Sequence, residues 1–264
     1  MENNQAIGIF DSGLGGLTVV KELLKALPNE NIVYFGDTAR VPYGNKSKKT
    51  VCKFSVENAD FLIKHEVKII IVACNTSCSL SLNVLKKKYK VPVIGVIEPA
   101  VRKAVERSRG LRVGVIGTRS TIKSNVYNRA LKKINKKVKI FSKSCPLFVP
   151  LIEENWINDD ITLNIAGRYL SDLKKREIDT LILACTHYPL LMRTIQKIMG
   201  RRVELINSAE EVAGQVKEHL ELSGRLREAK QKGRCLFYVS DEPAQFVKIG
   251  GKFLGRKMSR VRKV

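Results

Sequence analysis

No run of this 264-residue sequence is long and apolar enough to cross a bilayer. The longest central one, Ile69 to Cys74, has six residues, where a spanning helix takes about 20. Met1-Glu2-Asn3-Asn4-Gln5 has no basic region and no long apolar core behind it, so no secretory signal is expected. Cysteine, at six residues, is too scarce for the disulfide scaffold of a small secreted domain. Glycine (18) and proline (8) are too few for a collagen-like or low-complexity chain. What these absences leave is a soluble, cytoplasmic, globular protein with no membrane partner. Its 44% of hydrophobic residues can fill a core, and its length suits one large domain or two of about 100–150 residues. In that compartment the cysteines are expected to be reactive thiols, metal ligands or core filler.

Acidic residues are also in short supply, 25 Asp plus Glu against 48 Lys plus Arg, for a net charge of +23. Clustered cations can supply the phosphate contacts of a nucleic-acid binder. A lysine-rich solvated surface is the competing reading. The excess falls where helix faces meet solvent, at Lys86, Lys87, Lys88 and Lys90, and again at Lys132, Lys133, Lys136 and Lys137. Aromatic interleaving and zinc-finger or RNP-type signatures are missing, so nucleic-acid binding is not expected as the main function.

What the chain does have is alternation. Apolar runs begin at Ala6–Phe10, Asn31–Phe35, Lys68–Ala73, Val91–Val96, Arg112–Ile116, Lys137–Phe141, Thr180–Ala184, Val203–Ile206 and Cys235–Val239. They are rich in Ile and Val with little polar alternation, as strands covered on both faces should be. Amphipathic stretches lie between them, such as Leu17, Val20, Leu24 and Leu27 with Lys21 and Lys25 opposite. The expected class is α/β, with mostly parallel sheets flanked by helices.

A faint internal repeat runs through the pattern. Ile70-Ile71-Val72-Ala73-Cys74-Asn75-Thr76 parallels Leu181-Ile182-Leu183-Ala184-Cys185-Thr186-His187, and Ile7-Gly8-Ile9-Phe10 parallels Val113-Gly114-Val115-Ile116. Two similar α/β units of about 100 residues explain both matches. Ligands of such sheets sit at the carboxyl ends of strands, which is where every one of these motifs falls. Two facing units would gather them around one cleft.

Asp11-Ser12-Gly13-Leu14-Gly15-Gly16 follows the first strand and opens a helix, a setting that favours an anionic group. Its spacing fits neither the dinucleotide fingerprint nor the P-loop. Cys74 and Cys185 each end a strand and precede polar residues, and a helix N-terminus there favours thiolate. Cys74, Cys78, Cys185 and His187 are also four possible zinc ligands. Paired Cys-x₂-Cys knuckles and His-Glu-x-x-His elements are absent, however, so no metal is expected. Cys52, Cys145 and Cys235 read as packing residues. The loop Asp37-Thr38-Ala39-Arg40-Val41-Pro42-Tyr43-Gly44 can offer the Tyr43 hydroxyl and the Gly44 N–H to a ligand. Glu153 and His187 are candidate acid–base helpers.

Taken in order, these segments resemble the glutamate racemases, cofactor-independent members of the two-cysteine Asp/Glu racemase superfamily. The matching runs are Asp11 to Val19, Arg40-Val41-Pro42-Tyr43-Gly44, Ala73-Cys74-Asn75-Thr76, Glu98-Pro99-Ala100, Gly117-Thr118-Arg119-Ser120-Thr121, Cys145-Pro146-Leu147 and Ala184-Cys185-Thr186-His187-Tyr188-Pro189-Leu190-Leu191. They cover the chain up to the Phe246–Val264 tail. The resemblance implies two pseudo-twofold-related domains, residues 1–97 with 208–264 and residues 98–207, and an active site between them. An aspartate racemase of the same superfamily is the alternative substrate reading.

The resemblance also implies roles. Moving a proton from one face of glutamate to the other is simplest with two acid–base groups on opposite faces. Cys74 would deprotonate D-glutamate and Cys185 L-glutamate, without any cofactor, to supply D-glutamate for peptidoglycan. Asp11 would support Cys74, His187 would support Cys185, and Glu153 would stand near the second thiol. Ser12, Tyr43, Gly44, Asn75, Thr76, Thr118, Thr121 and Thr186 would complete the substrate shell with Asp11 and His187. A homodimer is expected on the same ground. Two features depart from the family pattern. Asn207 stands where Asp is usual, affecting either substrate affinity or a local cap, and Cys78 adds a thiol one helical turn beyond Cys74.

Overall fold

The computed structural model describes residues 2–229, 231–258 and 260–264. The chain first lays down β1 (Ile7–Asp11), β2 (Ile32–Gly36), β3 (Ile69–Val72) and β4 (Val93–Gly95). It then builds a second sheet from β5 (Arg112–Gly117), β6 (Lys139–Ser144), β7 (Thr180–Ala184) and β8 (Glu204–Asn207). Finally it returns to the first with β9 (Cys235–Val239) and β10 (Val261–Lys263). The sheet orders are β10-β9-β2-β1-β3-β4 and β6-β5-β7-β8, and every pairing is parallel. The α/β class expected from the alternation is the class observed.

The internal repeat has a structural counterpart. The second sheet repeats the β2-β1-β3-β4 order of the first, strand for strand. The central strands even share a packing device. A Cβ added at Gly8 in β1 would lie 2.9 Å from the Val67 methyls, and one at Gly114 in β5 would lie 2.5 Å from Ile178 Cδ1. At matching positions, a missing side chain lets the residue just before the neighbouring strand pack against the sheet.

β1, β2, β3 and β7 are buried along their whole length, which is why their sequences are apolar but for Asp11 at the end of β1 and Thr180 at the start of β7. β6, an edge strand, has no fully buried residue and starts two residues later than its sequence suggests. The Phe246–Val264 tail, expected in the first domain but with no strand or helix read from its sequence, is part of the fold. The helix Pro243–Leu254 buries Phe246, Phe253 and Leu254, and β10 extends the first sheet beyond β9. The three residues Val-Arg-Lys of β10 are too short and too charged to be read as a strand. An edge of this kind resists pairing with other chains.

Helix ends use local side chains. Ser47 Oγ accepts the Thr50 N–H, Asp159 Oδ1 accepts that of Ile161, and Asn207 Oδ1 accepts that of Ala209 at 3.1 Å. The Asn207 departure is thus a helix cap, a role asparagine fills as well as aspartate. Lys86, Lys87, Lys88, Lys90, Lys132, Lys133, Lys136 and Lys137 are all exposed.

At the amino ends of the first-sheet strands, far from the carboxyl ends, lies a buried ion pair. Lys68 Nζ reaches Glu30 Oε2 at 2.7 Å with both side chains almost wholly buried. The ammonium also donates to the carbonyls of Asn3 at 3.0 Å and Arg225 at 2.8 Å, while Glu30 Oε1 accepts the Arg227 N–H at 2.8 Å. The pair fastens the N-terminus and the segment before β9 to the sheet. Burial pulls the Lys68 pKa down even against the Glu30 carboxylate. Glu30→Ala, which strands the ammonium, should lower unfolding free energy by about 3–5 kcal/mol. Urea denaturation checks this, and a loss under about 1 kcal/mol would contradict a structural role for the pair.

Candidate active site

The carboxyl ends of the two sheets border one cavity of about 320 Å³. Cys74, two residues after the end of β3, is the N-cap residue of the helix Asn75–Lys88. Cys185, directly after β7, precedes the 3₁₀ turn Tyr188–Leu191. Both thiols line the cavity, with Ser12, Asn75, Thr76 and Thr118 on one stretch of wall and Glu153, Thr186 and His187 on another. Tyr43 and Gly44 also line it, and Val41, Pro146, Val149 and Pro150 add apolar surface.

Two residues expected to touch substrate are not in that wall. Asp11 is fully buried at the end of β1, accepting the Gly13 N–H at 3.1 Å and the Thr186 hydroxyl at 3.4 Å. Thr121 is buried behind Thr118, at 3.0 Å, and Thr76, at 3.3 Å. Tyr43 is placed differently from expectation too. Its hydroxyl donates to the Asp37 carboxylate and accepts from Asn58 Nδ2 at 3.2 Å, so its ring and backbone, not its hydroxyl, are available to the cavity.

Asp37 is a site residue the sequence did not single out. Fully buried, it accepts from Arg40 Nε at 2.7 Å and from Ser240 Oγ at 3.0 Å as well as from Tyr43. Arg40 lies 4.0 Å above the Phe54 ring and pairs with Glu57. This network fixes the Val41–Asn45 wall. Its one sequence signal is an acidic residue at a strand's carboxyl end with Arg three positions on; Asn58, Glu57 and Ser240 join only through the fold.

The two thiols have different surroundings. Cys74 Sγ is 3.6 Å from Ser12 Oγ. Burial first, and then the Asp11 carboxylate, push its pKa up to about 11, against hydrogen bonds from Ser77 and Ser12. Expectation had the helix N-terminus lowering it, but desolvation outweighs that effect here. Asp11 is itself raised by burial, opposed by His187, the Gly13 and Gly16 amides and Thr186. Cys78 is pushed up to about 12, chiefly by burial, and its sulfur lies against Gly95.

Beside Cys185, His187 Nε2 meets Glu153 Oε1 at 2.9 Å, and Phe253 packs edge-on against the ring at 5.1 Å. Burial favours the neutral ring. Hydrogen bonds to Cys185 and Glu153, and the charges of both, overcome it and push the pKa up to about 10. One thiol therefore lies beside a buried carboxylate and the other beside an imidazolium.

The seam between the two halves is close. Thr18 Oγ1 donates to the Thr186 carbonyl at 2.9 Å, Thr76 and Thr118 hydroxyls meet at 2.9 Å, and Ser120 Oγ donates to the Gly44 carbonyl at 2.7 Å. Gly15 is indispensable to this approach, because a Cβ there would collide with Thr186 Oγ1 and lie 2.5 Å from His187 Nδ1.

This geometry has close counterparts. The model of the Asp/Glu/Hydantoin racemase family matches residues 7–216. The chain belongs to that family. Glutamate racemase from Geobacter metallireducens is 50% identical over 260 residues, covering 98% of this chain and 96% of that one. The glutamate racemase structure from Bacillus anthracis superposes with a TM-score of 0.96 at 38% identity, covering 99% and 98% of the two chains. The one from Francisella tularensis, in complex with D-glutamate, gives 0.93 at 40% identity and the same coverage. As a member of this family the chain is an amino-acid racemase, an isomerase.

The His187 pairing makes stability depend on pH. Its folded pKa of about 10 exceeds the ordinary histidine value of about 6.5. The stabilisation is therefore complete below about pH 6.5 and is lost as pH rises through about 10. Melting temperature should fall across that window, and in Glu153→Gln the fall should be smaller and end at lower pH. Identical pH profiles for the two proteins would contradict the pairing.

Proposed function

We propose that this chain interconverts L- and D-glutamate with two thiols and no cofactor, working between domains of residues 1–97 with 208–264 and residues 98–207. The observation that carries this reading is that the repeated strand order brings two strand-end cysteines, one from each sheet, to a single cavity. Each arrives with its own auxiliary group.

In the L-to-D direction, Cys185 as thiolate takes the α-proton and becomes a thiol. The electron pair left on Cα delocalises into the α-carboxylate. Cys74, a thiol at neutral pH given its pKa of about 11, delivers its proton to the opposite face and becomes the thiolate. Return in the D-to-L direction exchanges the roles, with Cys74 as base. His187, an imidazolium held by Glu153, is the auxiliary group beside Cys185. Asp11 keeps Cys74 protonated until the carbanion forms. Asn75, Thr76 and Thr186, with Ser12, Gly44 and Thr118, supply donors for the substrate carboxylates, where negative charge builds up. A mostly buried cavity limits competition by water.

Supply of D-glutamate for peptidoglycan in the cytoplasm, by a homodimer, belongs to the same reading. It is supported by glutamate racemase relatives that match almost the full chain. Among the described residues no helix is long and apolar enough to cross a membrane.

Cys74→Ala and Cys185→Ala should each lower racemisation by about 10³-fold or more in both directions, since each removes proton transfer on one face. Circular dichroism of glutamate solutions follows the reaction. Near-normal turnover by either variant would overturn the two-thiol mechanism.

A further inference from the structure

Asn75 lines the cavity and is buried at the first position of its helix. Its Oδ1 accepts a hydrogen bond of 2.6 Å from Tyr127 Oη. Tyr127 lies in the helix Val126–Ile134, beyond β5, and is itself 2% exposed. The bond thus spans from the second half of the molecule to the first. The Nδ2 group of the same amide is buried without a hydrogen-bond partner.

A primary amide is nearly symmetric in shape, so packing alone does not choose which end is oxygen. Hydrogen bonding does. A buried phenol has one proton to donate, and the amide oxygen is the acceptor it meets. Burial, with Cys78 and Cys185 adding, holds Tyr127 well above the usual phenol range, so the proton stays on. The amide is then fixed with its NH₂ as the unspent group. An unpartnered buried donor costs about 1–3 kcal/mol, a cost removed by a ligand bearing an acceptor, and an amino-acid carboxylate is such a ligand.

We propose that Tyr127 is a positioning residue of the racemase: by holding Asn75 Oδ1 it presents Asn75 Nδ2 to a carboxylate oxygen of the bound amino acid. This rests on the glutamate reading above. Tyr127 sets the orientation of the amide, so without it the cost of ordering Asn75 is met when substrate binds. Once substrate is bound the donor is in place for the charge that builds on the carboxylate, and the loss falls on KM more than kcat.

Tyr127→Phe keeps the ring and removes only the bond. It should raise KM for both glutamate enantiomers about ten-fold and change kcat by less than about two-fold. In an Asn75→Ala background the same substitution should raise KM no further, because the pair acts as a unit. A purely structural Tyr127 would lower the melting temperature and leave KM alone, which would overturn the proposal, as would additive effects in the double variant. Wild-type enzyme in the same assay separates the two claims. Turnover by wild type with an unchanged KM in Tyr127→Phe refutes the positioning role alone, and a silent wild type refutes the glutamate reading and the proposal with it. If Tyr127→Phe does not fold, the intact protein still decides. With asparagine amides ¹⁵N-labelled, the Asn75 side-chain resonance should shift as glutamate is added, and a resonance that stays put overturns the proposal.

Discussion

The 2.9 Å bond from Thr18 Oγ1 to the Thr186 carbonyl joins the helix after β1 to the turn after β7, and the site depends on the seam it marks. Neither sheet alone encloses a cavity with two thiols. The seam closes because Gly15 has no side chain where Thr186 and His187 approach, and because small hydroxyl residues, Thr76, Thr118 and Ser120, meet across it. These short polar side chains line the seam, beside a hydrophobic core that runs through both halves. Two of these residues, Thr76 and Thr118, also line the cavity, so groups that join the halves form part of its wall.

Within that seam, the asymmetry of the two thiols follows from their neighbours. Asp11 is beneath Cys74, with the Thr186 hydroxyl on its carboxylate, and negative charge in a dry site opposes a thiolate. His187 is beside Cys185, tied to Glu153, and brings positive charge to that end of the cavity. Sheets of the same strand order thus present two thiols in chemically unlike surroundings. The tail takes part as well, since Phe253 packs on His187 and Ser240 holds Asp37.

Much of this was legible in the sequence because parallel strands buried on both faces leave an unmistakable trace. The Thr180–Ala184 and Cys235–Val239 runs are strands with those bounds, and the Cys74 and Cys185 strand ends are recognisable by their similarity to each other. What was not legible depends on partners distant in the chain. Glu30 and Lys68 look like any two of the many charged residues until the fold buries them together. Tyr43 offers a hydroxyl on paper, yet Asp37 and Asn58 claim it. Tyr127 was not singled out in the sequence, and its bond to Asn75 exists only across the seam. Helix capping at Asn207 was one of two open readings, and only the 3.1 Å bond to Ala209 decides for it.

The central claim, that each face of the substrate has its own base, is tested most directly by isotope placement in D₂O. Starting from unlabelled L-glutamate, and separately from D-glutamate, NMR of the separated enantiomers early in the reaction reads the hydrogen at Cα. Two monoprotic thiols that exchange with solvent deliver deuterium to the product enantiomer while unreacted substrate keeps its proton, in both directions and with no added cofactor. Product that retains the substrate's own proton would mean a single base working both faces, and would contradict the assignment of Cys74 and Cys185 to opposite sides.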